Sequence, residues 1–366
     1  MKAYLDNNRA SKIDVQVMEL MQQSLVEHYA DPRARHADAI KSRTPLAQAY
    51  EKIKASIHAK DNDMVTIGSS VDELHCRLLI SIYVNSVITG QKNQIILSAS
   101  ESDTVIETAE YIASQGCRIT ILPLNSDGVV DTDMLKQTIT TKTALVSITM
   151  VDAQSGAIMA IDEASQICSE HGVPLHSDAS HAIGKLPIDV QMLDIDYLTL
   201  SSETVHGPTG VAMLYIKEGI ELPNLIQPNN NLVGIVGLGK ALELAVDSQA
   251  FEMEDTRELR DALEESIREI EDHLIITPWA LRTPNTLLVG FKDVSSDALV
   301  WELNRYGISV SGEKGRALTE NTASDSIYKH TLVEFALSRY TSQEEMDYTI
   351  EKLKKSVEII RTERAR

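Results

Sequence analysis

The 366-residue chain predicts an α/β fold, a mostly parallel sheet covered by helices on both faces, joined to a smaller α+β lobe. Three observations predict it. From residue 64 onward, short apolar runs of strand length alternate with segments of helical period, the rhythm that builds βαβ units. After residue 232 that rhythm gives way to one long helical stretch, then short strands and helices. The chain is also too long for one small core, so two lobes are expected.

In order, residues 3–6 read as a short strand and Asp6-Asn7-Asn8 as a turn. Residues 12–28 place Ile13, Val15, Val17, Met18, Met21 and Leu25 at helical spacing. Residues 29–43 are polar and broken by Asp31-Pro32. Thr44-Pro45, a capping threonine before a proline suited to a first helical turn, opens a helix to about residue 58. Strands over 64–67, 94–97, 118–122, 144–149 and 174–177 alternate with helices over 71–87, 102–114, 132–138 and 162–171. Gly68-Ser69-Ser70 is a turn, Asp131 a helix cap and Gly172 a helix stop.

Residues 174–216 then read strand, short helix from near Ser180, strand, sharp turn, strand. Asp178 closes the first of these strands, and Thr204 sits in the turn before Gly207-Pro208-Thr209-Gly210. In open sheets of this kind ligands gather at the carboxyl ends of the strands, where Ser69, Asp152, Asp178 and Ser201 fall. Residues 232–272 read as nearly continuous helix, bent near Asp247-Ser248. Short strands near 275, 286–290, 308–310 and 333–337, with helices over 296–305 and 342–361, complete the second lobe.

The formal charge is −20, from 54 acids against 34 bases. So acidic a surface repels phosphate backbones, which argues against a nucleic-acid binder; it suits a basic protein partner or a plainly soluble surface. No run approaches the roughly 18–20 apolar residues that cross a bilayer, and the opening MKAYLDNNRASK has no signal-peptide core. Cys76, Cys117 and Cys168 are widely spaced, without CxxC or metal-finger pattern, as expected of reduced thiols in a cytoplasm. Cys76 and Cys168 read as buried apolar residues on helices.

Several motifs carry a resemblance. YLDNNRA at the start resembles the YLD-x-x-A-T of cysteine desulfurases, pyridoxal phosphate enzymes of the class V aminotransferase family. SDASHAIGKLPIDV resembles their VDATQ-x-GK-x-P-x-DV, and SRYTSQEEMDYTIEKLKKSV their C-terminal GR-x-T-x-EE-x-D helix. The resemblance runs nearly the whole length. It implies a large domain over 13–245 built on a seven-stranded, mostly parallel sheet, and a small α+β domain made of 1–12 with 246–366. It also implies a homodimer and partners in sulfur transfer or iron–sulfur assembly.

At the site the motifs part. The family's Schiff-base lysine position holds Thr204 in SSETVHGPTG, and the histidine before it is Glu203. Lys185 is no substitute, since family members carry that GK lysine beside their true one. The ring-stacking histidine is replaced by Ser102, and the asparagine at the ring oxygen by Ala153. The Gly-Ala-Thr phosphate turn becomes Ser69-Ser70-Val71, with Val71 lacking the hydroxyl and Asp72 adding a charge. The Gly-rich segment that reaches the partner's phosphate is deleted, and LIQPNNNLVGIVGLGKALELA joins the strand region almost directly to the helix. The acceptor cysteine of the catalytic loop is Gly315, no cysteine lies in 169–366, and the substrate-carboxylate arginine is Glu334.

What the resemblance leaves is a residual cofactor set: Asp178, Ser201 and His181. Two roles are open to Asp178, pairing with a ligand's ring nitrogen or capping the segment that begins near Ser180. Ser201 reads as an anion contact or a turn serine. His176, Asp178 and His181, with Glu203 and His206 nearby, carry metal-ligand chemistry at a spacing too common to be specific, and no metal site and no catalytic residue are assigned. The expected function is a desulfurase-like protein without desulfurase chemistry, a binding or scaffold protein in sulfur or iron–sulfur metabolism with no resident cofactor. Two alternatives stand beside it. One is an enzyme that holds pyridoxal phosphate noncovalently or borrows a partner's cysteine; the other is a sensor of a small anion in the remodelled pocket.

Overall fold

The structure is a computed structural model describing residues 1–220, 231–277, 281–312 and 331–364. Its centre is a seven-stranded sheet in the order β2 (Met64–Gly68), β8 (Ala212–Ile216), β7 (Tyr197–Ser201), β6 (Leu175–Asp178), β5 (Thr143–Ser147), β3 (Gln94–Ser98), β4 (Arg118–Leu122). Neighbours are parallel except at β8, which runs antiparallel to β2 and β7. Strands β3, β5, β7 and β8 are buried along their whole length, as strands covered on both faces must be.

The pleat sends alternate residues to opposite faces. Ile95 and Leu97 of β3 join one core with α3 (Val71–Ile82) and α4 (Asp103–Ser114). Ile96 joins the other, which gathers α1 (Val15–Glu27), α2 (Ala37–Ser56), α5 (Thr132–Thr138) and α6 (Ile161–His171). Helix α7 (Leu232–Arg268) belongs to two cores. Leu238 and Leu242 pack on the large sheet, while Leu263 and Ile267 pack with the second lobe.

That lobe holds β9 (His273–Ile275), β10 (Thr286–Phe291), α8 (Ser296–Arg305), β11 (Ile308–Ser309), β12 (Ser311–Gly312), β13 (Leu332–Ala336) and α9 (Gln343–Arg364). Four strands form an antiparallel sheet in the order β12-β13-β10-β9. The chain start returns to it: β1 (Ala3–Tyr4) pairs in parallel with β11, and Ala3 and Leu5 are buried in its core.

Three local expectations are corrected. Helix α2 begins at Ala37, not at Thr44, and carries Pro45 inside it. His36 caps it by accepting from the Ala39 amide at 3.2 Å, and Arg43 ties back to the Pro32 and Ala34 carbonyls at 2.8 Å each. These bonds hold the extra turns despite the proline, which lacks a donor. The 71–87 helix is α-helical only to Ile82, and Tyr83–Val87 is a π-helical turn. No helix follows Asp178; residues 179–193 are a series of turns, and Ser180 satisfies Asp178 locally instead.

Candidate functional site

A cavity of about 870 Å³ opens at the carboxyl ends of the central strands. The ends of β6 and β7, with Asp178 and Ser201, and the segment after β5, with Asp152, form one wall. The first turns of α3 and α4 form another, with Ser70, Val71, Asp72, Ser102 and Asp103. Asn8, Gly312 and Glu334 close it from the second lobe. The expected residues Asp178, Ser201 and His181 all line it, and so does Thr204. Ser69 does not; its neighbour Ser70 takes that place, so a hydroxyl persists beside Val71 at the helix start.

The β6 and β7 turns are locked to each other. The Ser180 amide and hydroxyl donate to Asp178 Oδ1 at 2.9 and 2.6 Å. The Ser201 amide donates back to Ser180 Oγ at 3.0 Å. Thr204 sits on a single 3-10 turn, Glu203–Val205, and its Oγ1 donates to the Ser180 carbonyl at 2.6 Å. The Thr204 side chain is therefore committed to the backbone. His181 has its Nδ1 buried without a hydrogen-bond partner, and burial lowers its pKa to about 3, so the ring is neutral.

Both helix starts capture their own donors. Ser70 Oγ accepts from the Glu73 amide at 3.1 Å, while the Ser69 amide donates to Glu73 Oε2 at 2.7 Å and the Ser69 hydroxyl donates to the same oxygen. Ser102 caps α4 by accepting from the Val105 amide at 3.4 Å, and its hydroxyl donates to Asp72 Oδ1 at 2.6 Å.

Behind the cavity lies a buried polar network that no single motif announced. Ser147 Oγ lies 3.0 Å from His75 Nε2, 2.8 Å from His176 Nδ1 and 2.9 Å from Glu101 Oε1, to which it donates. A hydroxyl has one proton to give. With it on Glu101, both imidazoles present N–H groups to Ser147, and His176 Nε2 accepts from Thr199 Oγ1 at 3.1 Å. Burial pushes Glu101 up to about 8, Asp178 up to about 6 and His75 down to about 3. All three favour the uncharged form, which is what a low-dielectric wall without counter-ions imposes. His75 and Glu101 reach the cavity. The signal for His75 was available: a histidine on the apolar face of an amphipathic helix must find a partner.

Seven acidic residues line the cavity (Asp72, Glu101, Asp103, Asp152, Asp178, Glu203 and Glu334). Arg9 is the one arginine or lysine lining it among the described residues. Asp152 is structural in part, since it accepts from the Gln154 and Ser155 amides at 3.2 and 2.7 Å. Glu334, on β13, accepts from Asn8 Nδ2 at 2.7 Å. His206, proposed near a metal set, instead places Nδ1 2.8 Å from the Lys12 carbonyl. Among the described residues, no group of three or more His, Cys, Asp and Glu is arranged to hold a metal. Cys117 and Cys168 are buried, whereas Cys76 is half-buried, with Sγ 3.0 Å from Thr108 Oγ1. Gly315 lies outside the described residues, as do residues 225–230 at the start of LIQPNNNLVGIVGLGKALELA, the remainder of which is the beginning of α7.

The aminotransferase class-V family profile matches residues 3–349. The chain is 30% identical to a cysteine desulfurase of Nostoc sp., across 98% of this chain and 93% of that protein. It is also 30% identical to the cysteine desulfurase IscS of Dictyoglomus turgidum, across 99% of this chain and 96% of that one. Among solved structures, a NifS-like protein superposes with a TM-score of 0.93 at 27% identity, covering 98% of this chain and 100% of the other.

Proposed function

The chain belongs to the class-V aminotransferase family, with the cysteine desulfurases as its relatives, and on that premise we propose that it works without desulfurase chemistry. It acts as a binding or scaffold protein in sulfur or iron–sulfur metabolism, as a homodimer or paired with an active desulfurase. One observation carries the reading. The position that would offer an amine to pyridoxal phosphate is Thr204, and its hydroxyl is spent on the Ser180 carbonyl.

The surrounding residues do not fit that cofactor either. Among the described residues no lysine lines the cavity. Lys185 lines a separate pocket of about 40 Å³, which Thr204 also borders. Ser102 offers no ring face for stacking, and its hydroxyl is engaged by Asp72. Glu334 stands where a substrate carboxylate would need a cation.

The test is the visible absorbance of the full chain after incubation with pyridoxal phosphate and desalting, together with sulfide release from cysteine. The reading expects neither retained colour nor sulfide; either one in the wild type defeats it. A second reading, a ligand sensor, is favoured by the size of the surviving cavity. Mass spectrometry of small molecules that co-purify with the chain separates a sensor from a pure scaffold.

A further inference from the structure

We propose that the cavity selects its ligand against negative charge, and that Asp72 and Glu73 in the first turn of α3 enforce that selection. The inference deepens the reading above by naming the charge of the ligand, and rests on it only in taking this cavity as the ligand site.

Two helix N-termini, those of α3 and α4, open onto the same cavity. Such ends carry partial positive charge and free amides, which ordinarily makes them sites for phosphate or carboxylate. Here the chain supplies the anion itself. Just behind the wall formed by Ser70, Val71 and Asp72, the Glu73 carboxylate takes the Ser69 amide and hydroxyl on Oε2, while Oε1 pairs with Arg77 Nη2 at 2.5 Å. The Ser69 bonds, with the Arg77 charge, hold the Glu73 pKa below its ordinary value, so it stays ionised. Asp72, the preceding residue, lines the cavity and its Oδ1 accepts the Ser102 hydroxyl, occupying the side-chain donor at the α4 start. An arriving phosphate meets the spent hydroxyls of Ser69 and Ser102 and the like charge of Asp72 and Glu73, a repulsion that salt weakens because these helix starts are solvent-exposed. The misfit to a phosphorylated cofactor is thus built into the helix start and is separate from the loss of the amine at Thr204.

The experiment follows the melting temperature of the full chain against inorganic phosphate, with chloride holding ionic strength constant. The wild type is compared with the double variants Asp72→Asn/Glu73→Ala and Asp72→Asn/Glu73→Gln. The expected result is no phosphate-specific rise for the wild type, and a saturable rise for the variants that corresponds to roughly tenfold tighter phosphate binding. The glutamine variant keeps an acceptor for Ser69, so it reads out the charge should the alanine variant not fold. A wild-type rise as large as the variants', or folded variants that gain nothing, overturns the proposal. Wild-type binding of unphosphorylated pyridoxal counts against the reading above and leaves this inference standing. Wild-type binding of phosphate does the reverse.

Discussion

Thr204 Oγ1 and the Ser180 carbonyl lie 2.6 Å apart, a bond that ties the turn after β7 to the turn after β6 at the mouth of the cavity. Both residues are buried. Thr204→Val keeps the shape and removes the donor, leaving a buried carbonyl unsatisfied. The expected loss is about 1–3 kcal/mol of unfolding free energy. Thr204→Ser keeps the donor and is expected to stay within about 1 kcal/mol of the wild type. Urea melts of the three proteins decide it; a Thr204→Val protein as stable as the serine variant removes the bond's role.

Glu101 makes stability depend on pH. Its pKa is raised from 4.5 to about 8 by burial, so the folded state holds a proton that the unfolded state releases. Its contribution is present in full below about pH 4.5 and is lost as pH rises through 8. Asp178, raised to about 6, acts in the same direction over a lower window. His75, His181 and His206, lowered to about 3, 3 and 4, act oppositely between those values and their ordinary 6.5. Above about pH 6.5 these histidine contributions no longer vary, and comparison with a Glu101 variant isolates the Glu101 part. Glu101→Gln is expected to match the wild type near pH 5 and exceed it at pH 8, by an amount on the order of a few kcal/mol. Denaturant melts at both values test it, and parallel pH profiles refute it.

Asp14 joins the N-terminal helix to the second lobe. It caps α1 by accepting from the Gln16 amide at 2.7 Å, and it also receives the Tyr340 hydroxyl and Arg339 Nη2, the latter at 3.3 Å. Asp14→Ala removes the helix cap and the carboxylate that pairs with the part-buried Arg339 and the exposed Tyr340, with an expected cost of about 2–3 kcal/mol. Tyr340→Phe removes one bond and is expected to cost about 1 kcal/mol. Equal losses in calorimetric unfolding would contradict this ranking.

Gly207 follows the Thr204 turn with no room for a side chain. A Cβ there would overlap Ser202 Oγ and lie 2.8 Å from the Ser202 carbonyl. Gly207→Ala is expected to cost roughly 1–3 kcal/mol through overpacking. Adding Ser202→Ala is expected to recover only part of that, because the carbonyl remains. Full rescue in thermal melts would place the clash on the hydroxyl alone.

The sequence by itself determined the alternation of strands and helices and the helix ends. Asp131 accepts from Met134 and Gly172 stops α6 in a left-handed turn, as their types require. Such signals travel only about four residues along the chain, so they are legible without the fold. The motifs likewise placed Asp178, Ser201, His181 and Thr204 at one site. Tertiary structure alone decided how those groups are spent. Ser147, His75, Glu101 and His176 come from four separate segments and meet because β5 lies between β3 and β6. Ser102 finds Asp72 because two helix starts converge on one edge of the sheet. Burial of Glu101 and Asp178, a property of the packed sheet and not of any local run, is what raises their carboxyls.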